Sequence, residues 1–158
     1  MANWCSISVN IQCETDEEAE HLTQVLSQVF KKAYEDNAGA YIGSTTRYFF
    51  GPNVSRNGNQ ILLSGEVRWA LEQSEMSDWL HWLLKHAKIS SMTAEYQEDG
   101  CLIFGFYQYD GQILSDRYLP TDFFPDYPEN EDDDEYARQL NEALEKHGIE
   151  CLLEEIAA

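Results

Sequence analysis

The sequence predicts an α+β protein: a ferredoxin-like split βαβ antiparallel sheet with two covering helices, an added C-terminal β-hairpin and a third helix. Three features carry that expectation. Residues 4 to 13 alternate apolar and polar side chains, two later stretches place apolar residues at helical spacing, and the extended runs beyond residue 90 are linked by tight turns. Turns that short cannot hold a crossover, so the strands they join are antiparallel.

In the first strand Cys5, Ile7, Val9, Ile11 and Cys13 point one way while Ser6, Ser8, Asn10 and Gln12 point the other, the pattern of a strand with one buried face. Thr15-Asp16-Glu17-Glu18 reads as a capping box. Its hydroxyl and its last carboxylate can each accept from an orphan backbone N–H, and the acids suit the positive helix end. The helix runs to about Tyr34, with Leu22, Val25, Leu26, Val29, Phe30 and Ala33 in one stripe. β-Branched and aromatic residues from Tyr41 to Phe50 predict a second strand, ended by Gly51-Pro52-Asn53. A turn at Asn57-Gly58-Asn59 leads to a third, Gln60 to Trp69, in which Ile61, Leu63, Val67 and Trp69 share a face and Gly65 marks a bulge.

Ser77 is the expected N-cap of a short helix that ends near Lys85 to Lys88. Its Trp79, Leu80, Trp82, Leu83, Leu84 and Ala87 make a wide apolar surface suited to packing on a sheet. Residues 91 to 97 alternate again, with Met92, Ala94 and Tyr96 on one face. Glu98-Asp99-Gly100 turns the chain into a strand from Cys101 to Tyr109, and Asp110-Gly111 turns it into the last, Ile113 to Leu119.

Composition changes at Pro120. A domain over 1–119 is therefore expected, followed over 120–158 by an acidic loop and a C-terminal helix packed on the same domain. That helix, about Asp132 to His147, places Tyr136, Leu140, Ala143, Leu144 and His147 on one face, with Gly148 as its C-cap.

Charge narrows the functional classes. The 158 residues carry 10 Lys plus Arg against 29 Asp plus Glu, a formal net charge of -19. Phosphate affinity comes from cations that release counterions, so direct binding to nucleic acid or to an anionic membrane is excluded as an expectation. Trp4, Trp69, Trp79 and Trp82 are assigned to the core rather than to a base-stacking platform. No enzyme is expected either: the chain has no Gly-rich phosphate loop, no G-x-S-x-G and no H-E-x-x-H. No cofactor or metal is expected, since the four cysteines form no C-x-x-C, His81 and His86 fall on different helix faces, and Asp132-Asp133-Asp134 lacks EF-hand spacing. The cysteines read as buried thiols, and the start of the chain lacks the pattern of a secretory signal, which predicts a cytoplasmic protein.

The opening Asn3-Trp4-Cys5-Ser6 stands with Trp69 ahead of a helix holding Trp79 and Trp82, and with Glu95-Tyr96, Gly105 and Tyr109-Asp110-Gly111 further on. Together these resemble the YubB-type ferredoxin-like family of plasmid and phage proteins, over about residues 1 to 118. The resemblance implies the fold and a mobile-element origin, and it supplies no reaction and no catalytic residue.

A basic partner would account for the acidity. Carboxylates spaced comparably to DNA phosphates, about one charge per 1.7 Å of duplex, suit the groove of a nucleic-acid-handling protein or nuclease. The expected contact segment is Asp122, Asp126, Glu129, Glu131, Asp132, Asp133, Asp134 and Glu135 for steering, with Phe123, Phe124 and Tyr127 as aromatic anchors. The function expected is that of a non-catalytic inhibitor from a mobile element, of anti-restriction or anti-CRISPR type. The alternatives are an immunity protein for a basic toxin nuclease and a regulatory or assembly subunit whose charge serves only solubility.

Overall fold

The computed structural model describes residues 4–35, 39–42, 49–68, 72–98, 103–119, 129, 134–136, 138–139 and 142. Its elements follow the order β1 (Trp4–Cys13), α1 (Asp16–Glu35), β2 (Gly39–Ala40), β3 (Phe49–Asn57), β4 (Gln60–Arg68), α2 (Gln73–His86), β5 (Ile89–Glu98), β6 (Ile103–Tyr109) and β7 (Leu114–Leu119). Residues 134–136, 138–139 and 142 are helical and mark a third helix. The strands build one open sheet in the order β2-β3-β4-β1-β5-β6-β7, antiparallel at every pairing.

The alternation in β1 sets the two faces of that sheet. Cys5, Ile7, Val9, Ile11 and Cys13 are buried, and their cross-strand partners Val67, Leu63, Ile61, Tyr96, Ala94 and Met92 continue the apolar face to either side. Both helices cover this face. Leu22, Leu26, Phe30 and Ala33 of α1 are buried, as are Met76, Trp79, Leu80 and Leu83 of α2. The Phe49 ring joins the layers, with its centroid 6.0 Å from Phe30 on α1 and 5.2 Å from Trp79 on α2. Each fully buried large side chain contributes about 2 kcal/mol by leaving water, so this single core dominates the folding free energy. Ser6, Ser8 and Asn10 stay exposed on the face turned away from α1 and α2.

Several expectations need correction. The strand foreseen over Tyr41–Phe50 does not end at Gly51-Pro52-Asn53. Instead β3 starts at Phe49 and passes through those residues to Asn57, while the pairing before it is the short β2; residues 43–48 lie outside the described residues. The turn-like tripeptide is a bulge. The register moves from Phe50 opposite Glu66 to Asn53 opposite Ser64, so Gly51 and Pro52 together face the single residue Gly65. Gly51 takes a φ of 55°, and Pro52 needs no N–H at a position where the ladder is interrupted. The bulge thus belongs to β3, with Gly65 across from it.

α2 begins at Gln73 rather than at Ser77, because an acidic residue starts it: Glu72 is the N-cap, and its backbone N–H donates to Glu75 Oε2 at 3.3 Å. At α1 half of the expected capping box forms. Thr15 Oγ1 accepts from the Glu18 N–H at 3.2 Å, but the Glu18 carboxylate reaches across to the Lys88 N–H at 3.0 Å, tying the start of α1 to the chain entering β5. Thr15→Ala removes one acceptor from the helix N-terminus. It is expected to lower stability by about 1 kcal/mol, read as a shift of the urea midpoint without a change of slope.

The meander after α2 stands as expected. Gly111 has a φ of 99°, and Asp110 Oδ1 accepts from the N–H groups of Gln112 and Ile113 at 2.9 and 2.7 Å, which closes the β6–β7 turn. Those bonds hold the Asp110 carboxyl below its ordinary range. Cys5 and Cys13 are buried thiols, and burial pushes Cys13 up to about 11; Cys101 and Cys151 lie outside the described residues.

Candidate functional site

Of the acidic segment singled out from the sequence, Asp122, Phe123, Phe124, Asp126, Tyr127, Glu131, Asp132 and Asp133 lie outside the described residues. Glu129 is exposed in a turn and Asp134 is exposed on helical backbone. Glu135 is engaged within its own helix: Arg138 Nε donates to Glu135 Oε2 at 2.9 Å, and Gln139 Nε2 donates to Glu135 Oε1 at 2.9 Å. A second Arg138 nitrogen also contacts Glu135, and a third pairs with Glu142. Hydrogen bonds from Arg138 and then Gln139 hold the Glu135 carboxyl down to about 2. Its charge therefore serves the helix first, and Glu135, Arg138 and Glu142 together present one net negative charge.

Carboxylates elsewhere on the surface are less committed. At the start of α1, Glu14, Asp16, Glu17 and Glu20 are exposed, and among the described residues none of them has an ion-pair partner. A second group gathers near the start of α2. There the Tyr96 hydroxyl donates to Asp116 Oδ1 at 3.3 Å, and the buried Tyr107 ring lies 5.2 Å from that of Tyr96. Desolvation pushes the Tyr107 hydroxyl far above its ordinary range, and the charges of Asp116, Glu75 and Glu72 add to the effect. Burial also raises the Asp116 carboxyl, against the opposing bond from Tyr96.

A third acidic feature was not foreseen. The face of the sheet turned away from α1 and α2 has a depression of about 360 Å³, bordered by Ser6, Ser8, Ser64, Glu66, Glu95 and Gln97 together with Gly51 and Gly65. Register explains it. Ser8 stands between Ser64 on β4 and Glu95 on β5, and Ser6 stands between Glu66 and Gln97. The floor thus consists of short side chains, the bulge at Gly51 removes any side chain from one wall, and longer polar groups form the rim. Glu95 is half-buried, and burial alone raises its carboxyl above the ordinary 4.5. Among the described residues, neither Glu95 nor Glu66 has a side-chain hydrogen bond or ion pair.

Trp4 borders the same face and corrects the assignment of all four tryptophans to the core. It is 39% exposed, meets Phe50 edge-on at 4.7 Å, and has the Arg68 guanidinium 5.8 Å from its ring centre. Trp79 is fully buried as expected, Trp82 is half-buried, and Trp69 lies outside the described residues. The signal was in the alternation, because Trp4 is in phase with Ser6 and Ser8 rather than with Cys5 and Ile7.

A carboxyl raised by desolvation makes the folded state take up a proton more readily, so its ionisation removes stability as pH rises through the folded value. Glu95→Gln is therefore expected to raise the melting temperature at pH 7 by about 2 °C and to leave it unchanged near pH 3, measured by calorimetry.

Among the described residues no helix is long and apolar enough to cross a membrane, and no group of three or more His, Cys, Asp or Glu gathers as a metal cluster would. Compared with known protein families, curated proteins and solved structures, the chain has no match.

Proposed function

We propose that this protein is a non-catalytic, acidic binder of a basic nucleic-acid-handling protein, acting as an inhibitor that occupies the partner's phosphate-binding groove. The observation that carries the reading is the uncompensated charge. Twenty-nine acids face ten cations, and exposed carboxylates without ion pairs among the described residues stand at the start of α1 and, as Glu66, on the sheet face turned away from α1 and α2. A field of that sign accelerates encounter with a cationic groove and repels nucleic acid itself. The segment over 121–135 joins that field, with Phe123, Phe124 and Tyr127 as its apolar anchors.

The scaffold in this reading is a ferredoxin-like split βαβ unit, as in the YubB-type proteins of mobile elements. The spatial order β3-β4-β1-β5, with α1 leaving β1 and α2 leaving β4 on the same face, supports it. β6 and β7 extend the sheet beyond β5. An origin in a plasmid or phage and an anti-defence target belong to the same proposal.

Neutralising Asp132, Asp133, Asp134 and Glu135 to Asn and Gln tests the electrostatic part. Association with the basic partner is expected to slow about tenfold at low salt, with a shallower dependence on ionic strength, while dissociation changes little. An unchanged association rate, measured by stopped-flow or surface plasmon resonance, would mean that the charge serves solubility alone.

A further inference from the structure

We propose that the depression on the sheet face turned away from α1 and α2 is a binding site for a guanidinium group, filled in the complex by one arginine of the basic partner. The preference for guanidinium comes from the site itself, while the arginine's source rests on the reading of this chain as a binder of a basic protein.

The chemistry of the walls selects the ligand. Glu95 and Glu66 are carboxylates on opposite sides of β1, one from β5 and one from β4, and among the described residues neither is matched by a cation. Between them Ser6, Ser8 and Ser64 offer hydroxyl oxygens and add almost no bulk. Among the described residues these hydroxyls make no side-chain hydrogen bond either. A group that fits must therefore carry positive charge and donate to several acceptors spread across a shallow floor. Guanidinium does this, with five N–H donors in one plane and a geometry that meets a carboxylate through two parallel bonds.

An ammonium fits less well, because it is a compact charge with three donors, and its stronger hydration makes entry into a partly desolvated pocket more costly. Desolvation of Glu95 points the same way: its carboxylate has lost water contacts that a cation would replace. The volume of about 360 Å³ lies at the small end of ligand sites and suits one side chain better than an extended ligand. Gly51 keeps the wall open, since the space a Cβ would occupy there has no neighbour within 4 Å.

The probe is N-acetyl-argininamide, with N-acetyl-lysinamide as comparison, titrated into the isotope-labelled full chain and followed by amide chemical shifts. The expected result is saturable binding with a Kd of about 1 mM, shifts centred on Ser6, Ser8, Ser64, Glu95 and Gln97, and at least fivefold weaker binding of the lysine compound. Glu95→Gln should weaken the arginine compound at least tenfold. Ser8→Leu, which fills the floor from an exposed strand position, should abolish its binding while the rest of the spectrum stays unchanged. Shifts that never saturate, that spread equally to the acidic start of α1, or that survive in both variants would overturn the site. With a purified basic partner, binding weakened by both variants supports the arginine as its anchor. Binding untouched by either variant places the partner elsewhere and overturns that source. If argininamide binds as described and no basic protein does, the site stands and the inhibitor reading fails.

Discussion

Replacing Gly65 with alanine is expected to lower the unfolding free energy by about 3 kcal/mol, the upper range for forcing extra volume into a packed core. The added Cβ would lie 2.4 Å from Cε2 and 2.5 Å from Cζ of Phe49, and 2.8 Å from the Phe50 carbonyl oxygen. Phe49 cannot step aside, because its ring is wedged between Phe30 and Trp79 and is fully buried. The backbone contact cannot yield without disturbing the bulge at Gly51. A double-mutant cycle with Phe49→Leu should recover about 1 kcal/mol of the loss, since the smaller side chain relieves the ring clash and leaves the carbonyl one. Equilibrium urea unfolding of the four proteins measures it. Full additivity would show that the two residues do not share that space.

Trp79→Ala is expected to cost about 4 kcal/mol, from the lost transfer of a large aromatic and the cavity it leaves beside Phe49. Trp79→Phe should cost less than about 1.5 kcal/mol. The reason is an imbalance within the native side chain: Trp79 is fully buried, and its indole N–H has no acceptor among the described residues. A buried donor without a partner forfeits about 1 to 3 kcal/mol of hydration, so a phenyl ring that loses some contacts also removes that penalty. Thermal unfolding compared across wild type, Trp79→Phe and Trp79→Ala tests the claim. A phenylalanine variant as unstable as the alanine one would show that the indole N–H is satisfied.

The local patterns of the chain were legible where one residue's neighbours decide its state. The period-two run of β1, the apolar stripe of α1 and the Asp110-Gly111 turn depend on adjacent residues, and each forms as expected. Gly51-Pro52-Asn53 was misread because a left-handed glycine and a proline suit a turn and a bulge equally. Only the non-local packing of Phe49 over Gly65 chooses the bulge. The start of α2 was misplaced because Glu72 takes the capping role usually given to serine or threonine.

The depression on the face away from α1 and α2 had no sequence signature at all. Its walls come from β1, β3, β4 and β5, and only the register of four strands brings Ser8, Ser64 and Glu95 into one row. By contrast the acidic segment over 121–135 was legible as composition. Within it, the pairing of Glu135 with Arg138 shows how an i,i+3 neighbour can spend a charge that composition counts as free.

Under the proposed function, the negative surface recruits a basic nucleic-acid-binding protein and competes with its nucleic acid. The direct measurement is capture on the immobilised full chain from a bacterial lysate at low and at high salt. Bound proteins are identified by mass spectrometry, and the captured protein is then tested for duplex displacement. The prediction is one basic DNA- or RNA-handling protein, held at low salt, released at high salt, and losing its nucleic acid as the acidic chain is added. A captured protein that keeps its nucleic acid undisturbed, or one whose binding is indifferent to salt, would contradict it.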